Sequence, residues 1–98
     1  MLTDTAKNKI ANMIKEIISH GEYTKDRTVV SIPIHSIAVN EDTVTVLFNL
    51  DQSITGKITN FKLIDIDGEI FDERLMNVNK STDGIFPSFQ YSIKELII

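Results

Sequence analysis

From Thr3 to Ser19 the apolar positions return at the period of an α-helix. Ala6, Ile10, Met13, Ile14 and Ile17 fall on one face, while Lys7, Asn8, Lys9, Asn12, Lys15 and Glu16 fall largely elsewhere. The pattern predicts a helix over about residues 3–19, with Thr3 as N-cap and Asp4 favourably placed at the positive end of the helix dipole. Gly21 is expected to stop it as the residue just past the C-cap, where a left-handed backbone suits glycine. Ile18 widens the apolar stripe beyond what a solitary surface helix needs. The helix is therefore expected to pack on its own sheet or on a neighbouring subunit, which makes Ile10, Ile14, Ile17 and Ile18 candidate interface residues.

The polar run Glu22–Thr28 reads as a connection, and after it the period becomes two. Val30, Ile32 and Ile34 alternate with Ser31, Pro33 and His35, a half-buried strand. Pro33 cannot donate to a ladder, which predicts an edge strand or a bulge. Ile37 and Val39 continue in the opposite phase, as a bulge near His35 and Ser36 would produce. Asn40–Asp42 is a turn, and Val44, Val46, Phe48 and Leu50 mark the clearest strand. A loop over Asp51–Gly56 precedes two further strands, Ile58–Ile66 and Glu69–Met76, joined at Asp67-Gly68. Asn77–Gly84 reads as a loop. Phe89, Tyr91 and Ile93 mark a final strand, so the β region is placed at about 28–97. With the helix ahead of every strand there are no βαβ units. The expected fold class is α+β: one N-terminal helix, then an antiparallel β-meander or small β-sandwich of five to seven strands.

The stretch "IDIDGEIFDER", Ile64–Arg74, concentrates the carboxylates. A calcium loop with Gly68 as its glycine would draw ligands from Leu63, Asp65 and Asp67 and a bidentate glutamate from the twelfth position. The first of these is apolar and the twelfth is Arg74, so that reading fails. A hairpin reading does better. Asp67 and Gly68 as a two-residue type I′ turn would pair Ile64 with Phe71, Lys62 with Glu73, Leu63 with Asp72 and Phe61 with Arg74. These pairs bring an aliphatic–aromatic contact and opposite charges together, each worth about 0.2–1 kcal/mol. A loosely held surface cation stays open beside it.

Composition narrows the functional classes. The 98 residues predict one domain, 1–98, and 42% hydrophobic with 24% charged residues is ordinary for a globular chain. A net charge of −4, with ten scattered basic residues, argues against nucleic acid or an anionic membrane as the main partner. The chain has no cysteine, which removes disulfides, thiolate metal sites and cysteine nucleophiles. Charges interrupt the N-terminal apolar residues, so no secretory signal is expected, and no run approaches the ~18 apolar residues of a membrane span. His20 and His35 lie on different elements without a second ligand at metal spacing, and no phosphate-binding or nucleophile-elbow motif occurs. No cofactor is expected, and the chain reads as no enzyme. Phe86, Phe89 and Tyr91 lack the basic neighbours of an RNA-stacking strand, and read as core or interface; Phe86 and Tyr91 join the candidate interface set.

Two segments carry a family likeness. "LTDTAKNKI", Leu2–Ile10, resembles the opening of small tail-fibre-like and minor structural proteins of bacteriophages and prophages. "ITNFKLIDIDGEIFDE", Ile58–Glu73, is similar to the strand–Asp-Gly–strand segments of phage tail and virion proteins. The resemblance implies a virion component of the tail or tail tip, working by contact with other virion proteins and as a homo-oligomer. It would reside in the bacterial cytoplasm during assembly and then in the virion. The alternative is a small β-rich module that binds carbohydrate or Ca2+ through Asp65, Asp67, Asp72 and Asp83 with Phe86 and Tyr91 nearby. The apolar terminus Glu95–Ile98 suits either core or interface.

Overall fold

The computed structural model describes residues 2–93. One helix, α1 (Asp4–Ile17), is followed by seven strands: β1 (Ile18–Lys25), β2 (Thr28–Ile32), β3 (Ser36–Asn40), β4 (Thr43–Leu47), β5 (Gly56–Asp65), β6 (Ile70–Lys80) and β7 (Ser88–Ser92). They form two antiparallel sheets, ordered β2-β1-β5-β6 and β3-β4-β7. The expected α+β class, one helix and then an antiparallel β region, is what the chain adopts. The expectation for Glu95–Ile98 lies outside the described residues. Among the described residues no helix is long and apolar enough to cross a membrane.

The N-cap is as read: the Thr3 hydroxyl accepts the Ala6 N–H at 3.1 Å, and Asp4 occupies the first turn. The helix end is not. It stops at Ile17, and Ile18 opens β1 with an extended backbone and 6% exposure, so Ile18 belongs to the sheet core and not to a helical face. Ala11 is the helix's buried residue, with Ile10 and Ile14 half-buried against the core, while Met13 turns outward at 62% exposed. A small residue at the contact lets the helix sit close on β3 and β4.

Strand β1 runs through the segment that its polarity marks as a connection. It is a central strand, hydrogen-bonded to β2 on one side and β5 on the other, with Ile18, Gly21 and Tyr23 buried and polar residues between. Gly21 has no left-handed backbone and caps nothing. A Cβ there would lie 2.7 Å from Phe48 Cε1 and 3.0 Å from Phe61 Cε1, so glycine is needed where aromatic rings press onto the strand. The two-residue turn with positive φ at both positions is also here, at Asp26 and Arg27 between β1 and β2.

Pro33 follows the end of β2, which is an edge strand as its proline suggests. The phase change near His35 is no bulge. Residues 33–35 carry the chain from one sheet to the other, and a new sheet has its own inward face. The Asn77–Gly84 loop is likewise shorter than expected, because β6 continues to Lys80, pairing Ile58 with Val78 and Gly56 with Lys80. Val78 faces inward between exposed Asn77 and Asn79, and asparagine is depleted in strands.

The sheets meet through aromatic rings. Phe61 of β5 packs on Phe48, which directly follows β4, and on Phe89 of β7, with centroids 4.9 and 6.0 Å apart, and Phe48 meets Phe89 edge-on at 6.3 Å. All three are buried. Offset and tilted ring pairs of this kind add about 0.5–1.5 kcal/mol each beyond burial of their area.

Candidate interaction surface

Strand β6 borders one sheet, and its eleven residues exceed the five each of the other edge strands β2, β3 and β7. Glu73, Arg74 and Leu75 are all exposed, and from Leu75 to Lys80 exposed and more buried positions alternate. Val78 and Lys80 turn toward the core, while Glu73, Leu75, Asn77 and Asn79 face out. The register across the sheet lines up Ser31, Glu22, Lys62 and Glu73, then Val29, Thr24, Asn60 and Leu75. The first row alternates charge. The second is polar in the middle and apolar at its rims: Val29 is 58% and Leu75 81% exposed. Asn60 Nδ2 donates to Glu73 Oε1 at 3.2 Å, and its own Oδ1 is buried with no partner among the described residues.

The inward side of β6 is committed within the chain. Tyr91 Oη donates to Asp72 Oδ2 at 2.5 Å, and its ring meets Phe71 edge-on at 5.6 Å. Burial and the Asp72 hydrogen bond push the Tyr91 phenol well above its ordinary value of 10.0. The Arg74 guanidinium lies 4.7 Å over the Phe89 ring. Lys80 is 5% exposed, its ammonium donating to the carbonyls of Asp51 at 2.6 Å, Ile54 at 2.5 Å and Ser81 at 3.2 Å. A buried ammonium with three acceptors is satisfied, and it ties the Asp51–Ile54 loop to the end of β6.

The other candidate interface residues scatter. Ile10 and Ile14 pack on the core. Ile17 is 39% exposed, and its carbonyl accepts the Ile66 N–H at 2.9 Å, setting it beside Ile66, itself 64% exposed. Phe86 is 56% exposed and lies 6.0 Å from the His35 ring. Tyr91 spans the two sheets.

Asp67 and Gly68 do form the hairpin turn, by a different geometry. The Gly68 N–H reaches the Asp65 carbonyl at 3.0 Å, Gly68 has φ +81°, and Asp67 is not left-handed. This is a three-residue loop, a type I-like turn with aspartate first and glycine fourth. Asp65 Oδ1 accepts the N–H groups of Asp67 at 2.9 Å and Glu69 at 3.0 Å, so this carboxylate serves the turn. The longer loop pairs Ile64 with Ile70 instead of Phe71, and a bulge at Phe71 then restores Leu63–Asp72, Lys62–Glu73 and Phe61–Arg74. Two departures from the two-residue turn cancel, so the expected register holds for those three pairs.

Among the described residues no three His, Cys, Asp or Glu side chains gather closely enough to hold a metal ion. A shallow cleft of about 360 Å3 lies where the sheets' connecting loops meet, lined by Pro33, Ile34, His35, Asn49, Asp51 and Ile54. The Ser53 hydroxyl and N–H both donate to Asp51 Oδ1, at 2.5 and 2.9 Å, and these bonds, with Lys80 nearby, hold the Asp51 carboxyl below the usual carboxylate range. Sequence inspection does not single out Asn49, Asp51, Ser53 or Lys80: the first three share a short loop with no motif, and Lys80 reaches them from the end of β6, 29 residues from Asp51. Comparison of the chain with protein-family models, with curated proteins and with solved structures gave no match.

Proposed function

We propose that the chain is an assembly module of a phage or prophage virion, of the tail or tail tip, working by contact with other protein chains. The observation that carries the assembly part is Leu75, 81% exposed in the middle of the longest edge strand described. Unpaired strand edges bearing apolar side chains are natural templates for another chain. The virion part rests on the resemblance of Leu2–Ile10 and Ile58–Glu73 to phage structural proteins. In this reading the chain catalyses nothing, and its partners are proteins. The test is to induce particle release from a bacterium carrying the gene, purify the particles and quantify this chain by mass spectrometry. A fixed number of copies per particle is expected. Particles that form normally without it would defeat the virion reading.

A second reading is favoured by one observation, the preset and ionised Asp51 carboxylate at the cleft beside Asn49 and His35. A small ligand with hydroxyl donors, such as a sugar, or a cation would suit it. Thermal melts with calcium or with simple sugars at millimolar concentration would show a raised midpoint if either binds. An unchanged midpoint removes this reading.

A further inference from the structure

We infer that the outer edge of β6, unpaired among the described residues, pairs antiparallel with β6 of a second copy of this chain, about a two-fold axis at Leu75. The inference rests on the assembly reading and specifies its surface and its partner. Four observations lead to it.

First, the edges differ. Strands β2, β3 and β7 are five residues long, and short edges resist pairing, whereas β6 offers eleven residues and contains no proline. Second, the charges that would blunt such an edge are spent within the chain. Asp72 holds Tyr91, Arg74 covers Phe89 and Lys80 is buried among carbonyls. Asp72 Oδ1 also accepts the N–H of Glu73 at 2.7 Å, so that donor is turned away from the β5 ladder. Donors alternate along a strand, which leaves the Leu75 N–H on the free side as well.

Third, the strand is complementary to itself in one register. Centred on Leu75, the pairing sets Leu75 against Leu75, Glu73 against Asn77, Arg74 against Met76 and Asp72 against Val78 of the second copy, with no like charges opposed. Centring on Arg74 would oppose two guanidinium groups, and centring on Met76 would set Leu75 against an asparagine. Parallel in-register pairing would oppose Asp72, Glu73 and Arg74 each with itself. Like charges directly opposite are destabilising, so the Leu75 register is preferred. Fourth, the outer face has a use for the partner's side chains. Leu75 has only Asn60 beside it in its own sheet, and the Glu73 carboxylate would gain the Asn77 amide of the second copy as a donor. The isologous contact closes on itself and joins two four-stranded sheets into one.

The absence of cysteine gives a clean experiment. Light scattering of the whole chain from micromolar to millimolar concentration is expected to show a monomer–dimer equilibrium. Leu75→Lys, which opposes two ammonium groups, should weaken the dimer by about tenfold or more while leaving the thermal midpoint of the dilute monomer unchanged. Leu75→Cys should form an intermolecular disulfide on mild oxidation, because residues paired across strands fall within the ~4.4–6.8 Å Cα separation that the bond needs. Val29→Cys, exposed at the opposite edge, should not. A dimer unaffected by Leu75→Lys, or one that cross-links through Val29→Cys instead, overturns the β6 pairing and leaves assembly by another surface standing. A strict monomer at millimolar concentration also overturns it, and the particle experiment then judges assembly with other chains separately. If removal of residues 95–98 were needed before Leu75→Cys could cross-link, the edge would belong to the chain's own terminus and the inference would fail.

Discussion

Gly21 and Gly68 are needed for different reasons, and substitution should separate them. At Gly21 the obstacle is contact: an added methyl meets the Phe48 and Phe61 rings at 2.7–3.0 Å, and these rings are wedged in the core. Gly21→Ala should cost about 1–3 kcal/mol, lowering the thermal midpoint by several degrees per kcal/mol in a domain of this size. At Gly68 a Cβ would meet nothing within 4 Å, and the obstacle is φ +81°. Gly68→Val should therefore cost about 1–2 kcal/mol and Gly68→Asn clearly less, because asparagine tolerates the left-handed region. Asp65 makes a companion test in the same turn. Asp65→Asn keeps an oxygen for the Asp67 and Glu69 N–H groups and should be mild, whereas Asp65→Ala loses both bonds at a cost of about 1 kcal/mol. Urea titration of the five variants checks the order. The importance of both glycines is legible in the sequence; the reason at Gly21 is not, since Phe48 and Phe61 are brought to it by other strands.

At the scale of elements, β1 shows how far pattern reading goes. Its sequence ISHGEYTK has only three buried positions, and its polar residues occupy the exposed face of a sheet covered on one side. What makes it a strand is the pairing with β2 and β5 on its two sides, a tertiary effect that outweighs weak local preference. Strand β6 depends on a similar support at its far end. Lys80 holds three carbonyls, two of them in the loop before β5, so the last turn of the ladder and that loop are one unit. Lys80→Met preserves length and removes the donors. It should cost about 1–3 kcal/mol and speed hydrogen exchange at the Ile54 amide, which bonds to the Asp51 carbonyl at 3.1 Å, more than at amides of the β1–β5 ladder. Equal acceleration everywhere would mean that Lys80 acts on global stability alone.

For the whole molecule, the contact between sheets decides the shape, which extends 46 × 26 × 22 Å. Besides the three phenylalanine rings, the Tyr91–Asp72 bond ties β7 of one sheet to β6 of the other. Because the folded state holds the Tyr91 phenol protonated above its ordinary value of 10.0, the unfolded chain releases that proton first as pH rises. The stabilisation is complete below about pH 10 and declines above it. Burial, with the Asp51 charge adding to it, also raises Tyr23, so Tyr91→Phe should lessen the alkaline decline without abolishing it. The same variant should lose about 1–2 kcal/mol at neutral pH through the missing hydrogen bond to a carboxylate. Urea unfolding between pH 7 and 11 measures both. A decline of unchanged steepness in Tyr91→Phe would show that the proton is held elsewhere.

The sequence by itself determined the class of fold, the start of the helix at Thr3, the edge position of the proline-flanked strand β2, and the place of the β5–β6 turn with three of its cross-strand pairs. Each of these is written in local chemistry: a capping hydroxyl, a missing amide donor, an aspartate and glycine at turn spacing, a period of two. Tertiary structure alone decided where the helix ends, that a polar segment lies at the centre of a sheet, and that the phase change at His35 is a passage between sheets. It also decided that Asp72, Arg74 and Lys80 are engaged within the chain and leave Leu75 exposed on an edge unpaired among the described residues. Those outcomes depend on partners distant in the chain, and periodicity reports which side of an element is apolar without reporting what covers it.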